Sequence, residues 1–293
     1  MELVKHFLEY LIADRGYSPR TVATYRDDLI AFGNYFRKLD GGLTWQTVDS
    51  DVVRGWIVAE TDRSVSPRTV KRALSSLRSF FRYLVRTGAI TRNPMLRVQN
   101  PKTGSVLPAF VREQERDRLF DDVVFPAGGK GQRDRLILLT FYTTGVRISE
   151  LIGLDVADVS LTAGELKVTG KRDKQRIIPF GSELAREMAA YIGGREDRDV
   201  FGAPLFTNAA GRRIGQAEVR RTVRKYLSMV TMQKKKSPHV LRHTFATVML
   251  NNGAEIEAVK ELLGHESLST TQIYTHTTFA ELKKEYEHAH PRA

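Results

Sequence analysis

The stretch LLGHESLSTTQIYTH, residues 262 to 276, sets the phenol of Tyr274 nine residues after His265, among Ser and Thr instead of apolar neighbours. A free tyrosine has a pKa of ~10, so only about a thousandth of it is ionised near neutral pH. As a nucleophile it needs a proton acceptor and cations that stabilise the charge it moves. Other parts of the chain carry both. SPHVLRHTFAT, residues 237 to 247, places His239 and Arg242 three apart; YTTGVRISEL, residues 142 to 151, places Arg147 three before Glu150; and Lys171 stands in the turn sequence TGKRDKQ. An arginine fork matches two phosphate oxygens at once, so these cations suit a phosphate-bearing partner. Taken singly, each piece also has a plain structural reading. Arg147–Glu150 as a surface pair would contribute under about 1 kcal/mol, and Lys171 would be one more solvated turn lysine.

The elements that must position these groups can be read from local signals. Ser237 and Pro238 start a helix over 238–251 whose stripe is Leu241, Phe245 and Val248, with His239 and Arg242 on a face turned away from it. His239 lies in the first turn, where free amide donors favour an anion. Gly145 closes a helix over 132–143 and Arg147 opens another over 148–154. Leu166 and Val168 alternate on a strand, Gly170–Lys174 turn, and Arg176–Pro179 return as a hairpin. Ile256, Val259 and Leu263 mark a helix stopped by Gly264. Ser269 and Gln272 have capping-box spacing, which predicts a short helix over 270–275 carrying Tyr274. Further helices are predicted over 111–124, 182–192, 216–229 and 278–288.

The first hundred residues read as all-helical, over 3–14, 19–38, 50–60 and 67–87. SPRTV occurs at residues 18–22 and again at 66–70, each time with Ser at an N-cap and Pro at the first helical position. Val70, Leu74, Leu77, Phe81 and Leu84 form one apolar stripe, while Arg78, Arg82 and Arg86 step along another face. From Arg63 through Lys102 there are ten Lys or Arg and no acid. Solvated surfaces usually mix signs, so this stretch predicts a cationic rail along a phosphate backbone; Arg68, Lys71, Arg72, Arg78, Arg82 and Arg86 are the candidate DNA contacts. The proline-rich stretch ending near Pro108 reads as a linker.

Composition narrows the partners. The chain has 293 residues, a net charge of +12 and no cysteine, which excludes disulfides, thiolate nucleophiles and cysteine-ligated metals. Its first residues mix charges into the apolar pattern, unlike a signal peptide, and no apolar run approaches the ~20 residues of a membrane span. The expectation is a cytoplasmic, nucleic-acid-binding chain with no membrane association. GGKGQR around residue 130 lacks the ending of a phosphate-binding loop, and after His265–Glu266 the second histidine of a zinc helix would fall on Ser269. His288 and His290 are expected to be solvent-exposed. No cofactor and no metal are expected.

Arg147, Lys171 in a β-turn, His239-x-x-Arg242, Gly264-His265 and Tyr274, in that order, resemble the tyrosine recombinase/integrase family. LLGHESLSTTQIYTH and the ending HPRA look most like its Xer branch of bacterial site-specific recombinases. The resemblance implies a mainly α fold with a small β-hairpin or sheet. A SAM-like, DNA-clamping helical domain would span 1–98, a linker 99–108, and an α+β catalytic domain 109–293 with an exchange helix near 278–288. It implies that Tyr274 attacks a DNA phosphodiester to leave a 3′-phosphotyrosyl bond, and that Arg147 and Arg242 hold the non-bridging oxygens. His239 and His265 would bond the phosphate, with His239 accepting the tyrosine proton. Lys171 would protonate the leaving 5′-oxygen and Glu150 would hold its neighbours. Exchange of one phosphodiester for another needs no nucleotide fuel.

The implied partners are a double-stranded recombination site and three further protomers, either copies of this chain or a second Xer-type recombinase, joined by a septal DNA translocase. The implied job is resolution of chromosome or plasmid dimers through a Holliday junction. A type IB topoisomerase-like strand transferase or a mobile-element integrase shares the chemistry, and a non-catalytic architectural DNA-binding protein shares the basic helices. In AELKKEYEHAH, Leu282 and Tyr286 lie four apart, an apolar face expected to dock on a neighbouring protomer.

Overall fold

A computed structural model describes residues 2–102, 109–170, 173–195, 200–264 and 279–293. The chain forms two compact units, Met1–Val106 and Leu107–Ala293.

The N-terminal unit is helical. It contains α1 (Glu2–Ala13), α2 (Pro19–Leu39), α3 (Ser50–Asp62) and α4 (Pro67–Arg86), followed by a 3-10 turn over Pro94–Arg97. Both SPRTV copies cap as their sequence predicts: the Ser18 and Ser66 hydroxyls accept from the Thr21 and Thr69 amides. The predicted α4 stripe is buried around an aromatic centre of Phe7, Phe32, Phe36, Trp45, Trp56, Phe80 and Phe81. The 3-10 turn, in the proline-rich stretch ahead of the linker expected over 99–108, adds Met95 to this core, and Val98 follows it there. A proline-rich stretch hides such a turn, since its packing depends on the core it meets.

The second unit is mainly α with a small sheet. After α5 (Glu113–Asp117) and one π-turn over Arg118–Asp122, α6 (Gly129–Thr144) runs through the centre, almost wholly buried. Then come α7 (Ile148–Gly153), β1 (Val159–Ser160), β2 (Glu165–Thr169), β3 (Gln175–Pro179), α8 (Ser182–Gly193), α9 (Gln216–Val230), α10 (Pro238–Asn251), α11 (Ile256–Leu263) and α12 (Phe279–Ala289). The strands form one antiparallel sheet in the order β1-β2-β3, with Leu166 opposite Ile178 and Val168 opposite Arg176. β1 is two residues long and leaves no alternation to read. The helix expected over 270–275 lies outside the described residues.

The C-terminal segment departs from expectation. Leu282 and Tyr286, read as a face for a neighbouring protomer, are buried in their own unit's core. His290, expected in solvent, is 3% exposed, with its ring near those of Tyr142, Phe245 and Tyr286 and Nε2 3.3 Å from the Tyr142 carbonyl. Burial pushes its pKa down to about 3, so it sits neutral. His288 is exposed as expected.

Candidate active site

Arg147 occupies the N-cap of α7, and Glu150, at the third helical position, accepts the Arg147 amide at 2.7 Å. The same carboxylate takes Arg147 Nη1 at 2.7 Å. This is no surface pair, because the Glu150 side chain is only 1% exposed. Burial alone would raise its pKa. The hydrogen bonds from Arg176 and from the Arg147 amide, with the two guanidinium charges, override burial and hold it at about 2.

Arg242 lies on α10 and was expected on a face turned from the core. Instead it is buried, 8% exposed. The backbone meets its need for partners: Nη1 donates to the Gly145 carbonyl at 2.6 Å and Nη2 to the Leu263 carbonyl at 2.7 Å. Burial, aided by repulsion from Arg147, lowers its pKa to about 10, which leaves it charged at neutral pH.

Both arginines therefore converge on the C-terminus of α11. Arg147 Nη2 reaches the Gly264 carbonyl at 2.7 Å, beside the Leu263 carbonyl held by Arg242. Unsatisfied helix C-terminal carbonyls attract cations. Gly264 closes the helix in the left-handed conformation, φ 62°, and His265 follows it in sequence. Gly145, also left-handed at φ 60°, ends α6 where a Cβ would come within 2.6 Å of Phe245 and 2.8 Å of Leu263.

His239 is exposed in the first turn of α10, behind Ser237 and Pro238. Beside it opens a cavity of about 230 Å³ lined by Ile148, Arg220, Arg224, Lys236, Ser237, Pro238 and His239. Sequence reading missed Arg220, Arg224 and Lys236 as site candidates. The signal was present in the EVRRTVRKY pattern of α9, where Arg220 and Arg224 lie four apart, but nothing local linked that face to His239. Arg176 of β3 was read only as a strand residue, yet its guanidinium reaches Glu150. Lys171, His265 and Tyr274 lie outside the described residues.

The N-terminal cationic candidates divide into two groups. Arg68, Lys71 and Arg82 are exposed, and their side chains have no hydrogen-bond or ion-pair partner among the described residues. Arg72 instead forks onto the buried Asp28 at 2.9 and 3.2 Å, Arg78 donates to the Asn100 side chain and the Val98 carbonyl, and Arg86 lies over the Tyr10 ring. Among the described residues no group of three His, Cys, Asp or Glu is placed to hold a metal ion, and no helix is long and apolar enough to cross a membrane.

The arrangement gathers two phosphate-suited guanidiniums, an exposed imidazole and a basic cavity. Comparisons with known proteins agree with it. Residues 110–281 match the family model described as phage integrase family, and residues 4–88 match its N-terminal SAM-like domain. The curated relative "Tyrosine recombinase XerC" of Chlorobaculum tepidum is 40% identical over 98% of this chain and 94% of its own. The protein of the same description in Pelotomaculum thermopropionicum is 38% identical over 99% and 98%. The solved XerH site-specific recombinase bound to palindromic difH substrate, a post-cleavage complex, superposes with a TM-score of 0.74 over 97% of this chain and 81% of that one; at 22% identity this likeness concerns the fold. The chain belongs to the phage integrase family, the tyrosine recombinases.

Proposed function

We propose that this chain is a site-specific DNA recombinase that cuts and rejoins strands through a 3′-phosphotyrosyl intermediate formed by Tyr274. Arg147 and Arg242 hold the non-bridging oxygens and stabilise the charge of the pentavalent transition state. His239 accepts the tyrosine proton, His265 bonds the phosphate, and Lys171 protonates the leaving 5′-oxygen. Glu150 fixes Arg147. Arg220, Arg224 and Lys236 receive the flanking backbone, and Arg68, Lys71 and Arg82 add phosphate contacts from the N-terminal unit. No metal or nucleotide takes part. The observation that carries this reading is the convergence of Arg147 and Arg242 on the end of α11, one residue before His265.

The substrate is a duplex recombination site in the cytoplasm. Four protomers assemble on two duplexes, all copies of this chain or shared with a second Xer-type recombinase. Resolution of chromosome or plasmid dimers through a Holliday junction, coordinated by a septal DNA translocase, is the biological role. A suicide duplex nicked near the cleavage point tests the chemistry. Wild-type protein should form a covalent adduct in excess chelator and Tyr274→Phe none. Nicking by the Phe variant would assign attack to another nucleophile.

A further inference from the structure

One arginine of this network has no part in the roles above. Arg176 on β3, its side chain 16% exposed, lays its fork against Glu150, with Nη1 2.8 Å from Oε1 and Nη2 3.0 Å from Oε2. Its Nε donates to the Leu262 carbonyl at 2.8 Å. A single planar group thus joins β3, α7 and the end of α11. The fit is close: a Cβ on Gly264 would lie 3.0 to 3.2 Å from this guanidinium, and one on Gly170 would lie 3.3 Å from Glu150 Oε1.

Each of the three joined segments leads to a different group of the proposed chemistry. Glu150 grips both the side chain and the amide of Arg147. β3 is the return strand of the hairpin, paired through Val168↔Arg176, and Arg176 follows Lys171 by five residues. Leu262 precedes His265 by three. Without the Arg176 fork, Glu150 would be held only from the Arg147 side and could rotate with it. Lysine cannot replace such a fork, since an ammonium offers no planar pair of donors.

We propose that Arg176 is a positioning residue for strand cleavage, fixing Glu150 and the end of α11 so that Arg147 and the segments leading to Lys171 and His265 keep one geometry at the scissile phosphate. The inference rests on the recombinase reading above.

The test is single-turnover cleavage of the nicked suicide duplex at saturating protein, with duplex affinity measured separately by fluorescence anisotropy. Arg176→Met should slow the rate constant ~10- to 100-fold, the scale set by sub-ångström misplacement of a phosphate clamp, and change affinity by less than about threefold. Arg176→Lys should recover only part of the rate, and it carries the same comparison if the Met variant folds poorly. Because part of the Arg176 effect runs through Glu150, the double variant with Glu150→Gln should lose clearly less than the product of the two single losses. A merely structural role would lower the reaction amplitude and spare the rate constant, and that outcome would overturn the proposal. So would fully additive losses in the double variant, or a loss confined to affinity. Absence of any adduct with wild-type protein would instead overturn the recombinase reading itself.

Discussion

Replacing Glu150 by glutamine keeps size and removes charge, and the local geometry gives the amide no good orientation. Oε1 accepts from Nη1 of Arg147 and Nη1 of Arg176, while Oε2 accepts from the Arg147 amide and Nη2 of Arg176. Whichever way the glutamine flips, its NH2 faces two donors. Glu150 is held at about 2 against an ordinary 4.5, and a shift of that size corresponds to about 3 kcal/mol between its charged and neutral forms. Its folded-state pKa lies below the unfolded one. The contribution is therefore complete above about pH 4.5 and is lost as pH falls toward 2. Glu150→Gln should destabilise the catalytic unit by about 3 kcal/mol at pH 7, roughly 6–12 °C in midpoint for a unit of this size. The only tryptophans, Trp45 and Trp56, lie in the N-terminal unit, so fluorescence follows that unit while calorimetry and far-UV circular dichroism also follow the other. The gap between wild type and variant should narrow steadily below pH 4.5. A gap under about 1 kcal/mol at pH 7, or one that stays constant between pH 5 and 3, would refute the assignment of Glu150 as the ionised centre of this network.

Three further outcomes follow from the same structure. Gly145→Ala should cost about 2–4 kcal/mol in urea unfolding, from the left-handed φ together with crowding against Phe245 and Leu263; a neutral result would mean that α6 ends differently. Arg82→Gln should weaken duplex binding and reduce the slope of log affinity against log salt by about 1. Arg72→Met should leave that slope unchanged and lower stability by about 1–2 kcal/mol, since Arg72 is committed to Asp28; the reverse pattern would exchange their roles.

What the sequence makes legible depends on how far each residue's partner lies along the chain. Ser18 and Ser66 bond three residues ahead, and Glu150 bonds three residues back, so a short window contains the whole interaction. Gly145 and Gly264 likewise announce their helix ends. Arg176 gave no such signal, since its partners are 26 and 86 residues away, beyond any local window. Arg242 was placed on the wrong side of its helix for the same reason. A buried guanidinium violates the pattern rule unless distant carbonyls satisfy it, and those come from Gly145 and Leu263. The apolar face of Leu282 and Tyr286 was visible, but periodicity cannot tell which surface covers it. Here the surface is the unit's own core.

The placement of Arg242 also explains how a buried cation can stay ready for an anion. Among the described residues, Arg147, Arg176 and Arg242 gather around a single carboxylate, Glu150, whose hydrogen bonds go to Arg147 and Arg176. Among the described residues Arg242 donates to carbonyl oxygens alone. These are neutral dipoles that orient the guanidinium without cancelling its charge, and they occupy two of its five N–H groups. Burial first, then repulsion from Arg147 and Arg176 against the opposing charge of Glu150, lowers Arg242 to about 10. A carboxylate in the same place would have raised that value while filling the position an anion would take. An arriving phosphodiester would bring negative charge beside Arg242 and offset the repulsion from Arg147 and Arg176. The helix end that fixes the arginines thus leaves their attraction for phosphate largely intact, which a second buried acid would not.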